Sequence, residues 1–120
     1  MKSIWSLLDQ AFAWALIAVG VTHLATGLYI FKAVTEGWIW FMGTGAAALG
    51  IGALNLARRW HGDEGWGVRA LCLVSNLALF AIVAVYAAAF ADQLTWQVIV
   101  IPAIVAVSTM FALAAAFGRQ

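Results

Sequence analysis

The chain has 120 residues, 66% of them hydrophobic and 9% charged, with six basic and five acidic side chains and a net charge of +1. A soluble domain carries about 25% charged residues, so the composition is that of an integral membrane protein, and the near-neutral balance excludes a nucleic-acid partner. A single cysteine, Cys72, excludes an intrachain disulfide framework and a multi-cysteine zinc site.

Four apolar segments each approach the ~20 residues needed to cross a ~30 Å hydrocarbon core. They cover residues 11–31, 38–57, 67–91 and 95–117. The separators KAVTEG, RRWHGDEGW and ADQL leave no room for a second domain. Connections this short make neighbouring helices run antiparallel. The expected fold is therefore all-α, a single up-down antiparallel four-helix transmembrane bundle over residues 1–120.

The first span contains GVTHLATGLYI, with His23 inside an apolar run. Its length and the lack of a small-residue cleavage site favour a retained span over a cleaved leader. An imidazole in hydrocarbon is costly, which makes it a functional-site hypothesis by default. Gly20, His23 and Gly27 share one helical stripe, with Thr26 on its flank. Counted inward from Phe31 at ~1.5 Å per residue, His23 lies ~12 Å below the outer boundary. Gly45, counted from Trp38, reaches a similar depth and leaves room opposite the ring. Thr22, Thr26, Tyr29 and Asn76 are the candidates to bond it.

Three readings of His23 follow. It fixes helix packing, or it bonds a quinone, a lipid headgroup or another small amphiphile in a pocket formed with Thr26, Gly45 and Asn76. The third is axial ligation of a haem b, although the chain offers no second intramembrane histidine.

The second span, WIWFMGTGAAALGIGALNLA, carries two stripes of small residues on nearly opposite sides. Gly45, Ala48, Gly52 and Asn55 form one, and Gly43, Ala46, Gly50 and Ala53 form the other. Small residues let helix backbones approach closely in lipid. This span is expected to be the most enclosed of the four, or to use its second stripe for self-association.

After it, the loop RRWHGDEGW places His61 near Asp63 and Glu64. Its glycines make it a solvated turn, and no metal site is expected. In the third span Arg69, Cys72 and Asn76 share a stripe, and Asn55 lies at about the depth of Arg69. An Asn55–Arg69 contact is expected as a polar brace, worth ~0.6 and at most ~2 kcal/mol. Cys72 is read as a packing residue. In the fourth span Pro102 removes one backbone hydrogen bond and should bend the helix. Ser108 and Thr109 can bond back to the preceding turn.

Lys2, Arg58, Arg59, Arg69 and Arg119 share one side of the membrane, and Lys32 lies on the other. The positive-inside rule then places both termini in the cytoplasm of a bacterial inner membrane. Trp5, Trp60 and Trp66 mark the cytoplasmic boundary, and Trp38, Trp40 and Trp96 the opposite one. Every Asp, Glu, Lys and Arg is placed outside or at the edge of the spans. With no intramembrane carboxylate, nucleophile–base pair or phosphate-cradling loop, no catalytic residue is assigned.

WIWFMGTGAAALGIGALNLARR and RALCLVSNLALF, together with VTHLATGLY, resemble a group of small four-span bacterial inner-membrane proteins, DoxX-like in size and topology. The matching residues are His23, Trp40, Phe41, Gly43, Gly45, Asn55, Arg69 and Asn76, and the likeness covers the first three spans. It implies the bundle and its polar positions without a defined activity. The functional expectation is a non-enzymatic membrane protein acting as a small subunit of a larger complex or as a homo-oligomer in the lipid bilayer. The alternatives are a lipid- or quinone-binding protein and a haem-holding redox subunit.

Overall fold

The computed structural model describes residues 3–61, 65–92 and 96–118, with Gln97 as backbone only. Lys2, Gly62, Asp63, Glu64, Thr95 and Arg119, used in the sequence reading, lie outside the described residues. The described residues form four helices and no strand: α1 (Ile4–Ile30), α2 (Glu36–Trp60), α3 (Trp66–Ala89) and α4 (Trp96–Phe117). Each is long and apolar enough to cross a membrane, compatible with a multi-pass membrane protein. At ~1.5 Å per residue, α1 and α2 approach 40 Å, and the molecule measures 46 × 27 × 24 Å.

Local chemistry sets the helix ends. The Ser3 hydroxyl accepts the Ser6 N–H at 3.2 Å and opens α1. Thr35 does the same for Trp38 at 3.1 Å and opens α2; such caps satisfy donors that a first turn leaves without partners. Glu36 in the first turn of α2 and Arg58 and Arg59 in its last complement the helix dipole. Gly65, at φ +99°, precedes α3 in a conformation other residues rarely adopt. Pro102 lies inside α4, which continues through it, and leaves the Val98 carbonyl without its usual partner.

The first helix begins at Ile4, seven residues ahead of the expected start, and this brings Asp9 into the helix. Its inward stripe is Asp9, Ala13, Leu16, Gly20 and Gly27, with His23 half-buried on the same line. It packs chiefly on α2, and contacts with α4 are fewer. Gly20 meets Gly45 and Leu49, Ala13 and Ile17 meet Gly52, and Gly27 meets Met42. Residue numbers thus rise along α1 as they fall along α2.

The approach is close. A Cβ on Gly20 would lie 2.5 Å from the Leu49 nitrogen, and one on Gly52 would lie 2.9 Å from the Ala13 carbonyl oxygen. The first small stripe of α2 is therefore the one that packs. Its second stripe, Gly43, Ala46, Gly50 and Ala53, is exposed, and a Cβ on Gly43 or Gly50 meets nothing within 4 Å. Accordingly α2 is not the most enclosed helix; α4 is more buried. Leu16, Ala48, Leu79, Val83 and Val105, contributed by all four helices, form the apolar centre.

Candidate functional site

Two groups of polar side chains meet the helix interfaces, at different levels along α1. At its first turns Asp9 is 5% exposed and faces Arg58, 2% exposed. The guanidinium forks onto the carboxylate, Nη2 donating to Oδ1 at 2.8 Å and Nη1 to Oδ2 at 3.0 Å. Arg59 adds its Nε at 3.6 Å from Oδ2, and its Nη2 donates to the Ser6 hydroxyl. A bidentate fork is among the strongest polar contacts side chains make. One carboxylate and one guanidinium, at the edges of the expected spans, are thus buried within helices, each neutralising the other.

One turn before Arg58, Asn55 pairs with Asn76 of α3. Asn55 Nδ2 donates to Asn76 Oδ1 at 3.2 Å, and Asn76 Nδ2 donates to Asn55 Oδ1 at 2.8 Å. Asn76 Nδ2 also reaches the Cys72 carbonyl at 2.7 Å. Two facing amides present matching donors and acceptors, whereas a guanidinium can only donate. Asn55 thus braces against Asn76, and not against Arg69 as the sequence suggested. Arg69 is half-buried, and its Nε has no hydrogen-bond partner among the described residues.

The Thr109 hydroxyl lies 2.7 Å from the Val105 carbonyl, the preceding-turn bond read from sequence, and 3.4 Å from the Asn76 carbonyl. Ser108 is buried without a hydrogen-bond partner among the described residues. Cys72 is fully buried, its thiol 3.4 Å from the Leu54 carbonyl.

The second level belongs to His23. Its ring stacks on Phe41 at 3.9 Å between centroids and 16° between planes, and Phe31 meets Phe41 at 5.4 Å, tilted by 45°. Gly45 makes the stack possible: a Cβ there would stand 3.0 Å from that of His23. The ring borders a cavity of about 30 Å³ shared with Thr44, Leu79 and Ile101. That is space for about one water molecule.

Of the residues named from sequence for a His23 pocket, Gly45 is in contact with it. Thr26 is half-buried on α1 and does not line the cavity. Asn76 is bound to Asn55, about ten residues from Gly45 along α2 and so ~15 Å away at the helical rise.

Sequence reasoning missed the Asp9–Arg58 pair and the Phe41 stack. The signal for the first was present: Asp9 continues the Ala13–Leu16–Gly20–His23–Gly27 stripe one turn earlier, and Arg58 continues that of Gly52 and Asn55. No protein-family model, curated protein or solved structure matches the chain.

Proposed function

We propose that the chain is a non-enzymatic inner-membrane protein of bacteria that works by assembling, as a homo-oligomer or as a small subunit of a larger membrane complex. Its helices thread the bilayer up and down, with both ends on the cytoplasmic side where Arg58, Arg59 and Arg69 gather. The likeness to DoxX-like proteins belongs to the same proposal. The observation that carries it is the second small-residue stripe of α2, exposed along Gly43, Ala46, Gly50 and Ala53 while the first is packed against α1. Close backbone approach is the main source of helix association in lipid, and this face is shaped for it. The buried charges and amides support the same reading, because they bond one another across helices.

The test is the particle mass of the purified protein in mild detergent. Wild type is expected above the monomer mass, alone or with co-purifying subunits. The Gly43→Leu/Gly50→Leu variant is expected at the monomer mass with its helicity intact. A monomeric wild type with no companion would remove the proposal. A fluorescent reporter fused after Gln120 should light up in the cytoplasm.

A second reading is favoured by His23, whose ring nitrogens bond no described residue and which borders a cavity. In this reading a small molecule occupies the cavity and bonds the ring. A quinone or lipid would need the space to widen about tenfold, toward the ~300 Å³ at which ligand pockets begin. Organic extracts of wild type and His23→Leu would differ by the bound molecule, and a Soret band lost in the variant would mark haem.

A further inference from the structure

We propose that the cleft at the first turn of α1 holds the headgroup of an anionic phospholipid. The cleft encloses about 430 Å³, within the ~300–1,000 Å³ of small-molecule sites and far larger than the cavity beside His23. Its polar lining residues are Ser3, Ser6, Asp9 and Arg59. Its apolar lining residues are Trp5 of α1 and Phe111 and Ala114 of α4.

The charges favour one extra anion. Asp9 is already held by the Arg58 fork, and Arg59 sits 3.6 Å from the same carboxylate. Two guanidiniums against one carboxylate leave a positive charge in excess. It resides on Arg59, whose side chain is 24% exposed against 2% for Arg58. An anion entering the cleft therefore meets Arg59.

The unused hydrogen-bond capacity points the same way. Arg59 Nη1 makes no bond among the described residues. Ser6 Oγ accepts from Arg59 and Ser3 Oγ accepts from the Ser6 N–H, so both hydroxyl protons are still available. Three donors beside one net positive charge complement a phosphodiester, whose oxygens only accept.

The apolar side distinguishes a lipid from a free ion. Inorganic phosphate has nothing to place against Trp5 and Phe111, and its second charge has no counterpart. A phospholipid carries a single phosphodiester charge and an apolar body that covers those rings. Trp5, Trp60 and Trp66, each at least 60% exposed, lie at this end of the molecule, the headgroup level that such rings favour. The inference rests on the membrane-spanning reading proposed above and is independent of self-association and of His23.

The full chain, purified in mild detergent, is offered equal amounts of phosphatidylglycerol and phosphatidylcholine of the same acyl length, and retained lipid is counted by native mass spectrometry. Wild type should keep one phosphatidylglycerol in preference. Arg59→Gln should lose roughly tenfold of that preference, the effect of one charge-assisted hydrogen bond, and Arg59→Lys should keep part of it. Ala114→Trp fills the cleft from α4 and should abolish retention, with helicity unchanged by circular dichroism. Equal retention of both lipids by wild type overturns the proposal. So does wild-type preference in both Arg59→Gln and Ala114→Trp, or displacement of the lipid by excess inorganic phosphate. Partition of the chain into the membrane fraction is scored separately: a protein that inserts but shows no preference loses this site alone.

Discussion

Asp9 and His23 stand on the same stripe of α1, fourteen residues apart in sequence, and are fastened to α2 by different forces. At Asp9 the fastening is electrostatic: two opposed charges, almost wholly removed from solvent, joined by two short hydrogen bonds. At His23 it is steric: a ring laid on Phe41 over the gap left by Gly45. The first is directional and fails abruptly, because a charge left without its partner in a low-dielectric interior is expensive. The second is soft, because an apolar side chain of similar size can occupy much of the same space. One helix face is thus held in register at one end and allowed to adapt at the other, next to the small cavity.

The largest effect is expected at the charged end. Asp9→Ala leaves the Arg58 guanidinium buried without a counter-ion and should cost about 3–5 kcal/mol, read as unfolding free energy in mixed micelles. Asp9→Leu combined with Arg58→Met removes both charges and should recover most of that loss. If Asp9→Ala unfolds like wild type, the pair does not hold the seam and the contrast between the two ends collapses.

Between the two ends the seam depends on backbone approach. Gly20→Val pushes a side chain into the Leu49 backbone, where even a Cβ would sit at 2.5 Å, and overpacking of this kind costs about 1–3 kcal/mol. Gly50→Val, on the outward stripe with nothing within 4 Å, should stay within about 0.5 kcal/mol in the isolated protein. Equal effects from the two substitutions would mean that the inward and outward stripes of α2 are not distinct.

What the sequence disclosed follows from where its signals are strong. Four long apolar runs separated by turns cannot be anything but helices of this length, and all four appear. Spacing alone announced two stripes of small residues on α2, and the one with Gly45, Ala48 and Gly52 is packed. The start of α1 was hidden because hydropathy drops at Asp9 and Gln10, so the unbroken apolar run begins after them. A single charge lowers a local average whether it is solvated or paired, and only the helical period tells the two apart. The partner of Asn55 was equally hidden: Arg69 and Asn76 share one stripe of α3, ~10 Å apart along it, and the choice depended on how far α3 is shifted along its axis against α2. The stack on Phe41 had the same limitation, since its place on the helix was visible but the rotation of α1 against α2 was not.

The amide pair gives the next, smaller effect. Asn55→Leu strands one side of Asn76, which keeps its bond to the Cys72 carbonyl, so the loss should be near the ~0.6 kcal/mol typical of such contacts in membranes and below ~2. Asn55→Leu with Asn76→Leu should be no worse than the single variant, because no amide is then left half-satisfied. A double variant clearly worse than the single one would show that the pair holds more than its own two helices.

The smallest change is expected at His23. Stacked rings contribute about 0.5–1.5 kcal/mol beyond their buried area, and His23→Leu gives up that stack. The leucine returns part of it, since its apolar branch can lie against Phe41 and beside Leu79 without a polar atom to satisfy. The net change in unfolding free energy should stay within about 1 kcal/mol, several times below that of Asp9→Ala. Stability and occupancy then separate the two uses of the ring. If His23→Leu is as stable as wild type and extracts with the same small molecules, the histidine serves packing alone. A variant of unchanged stability that loses a bound molecule would instead show that the soft end of the seam accommodates a guest.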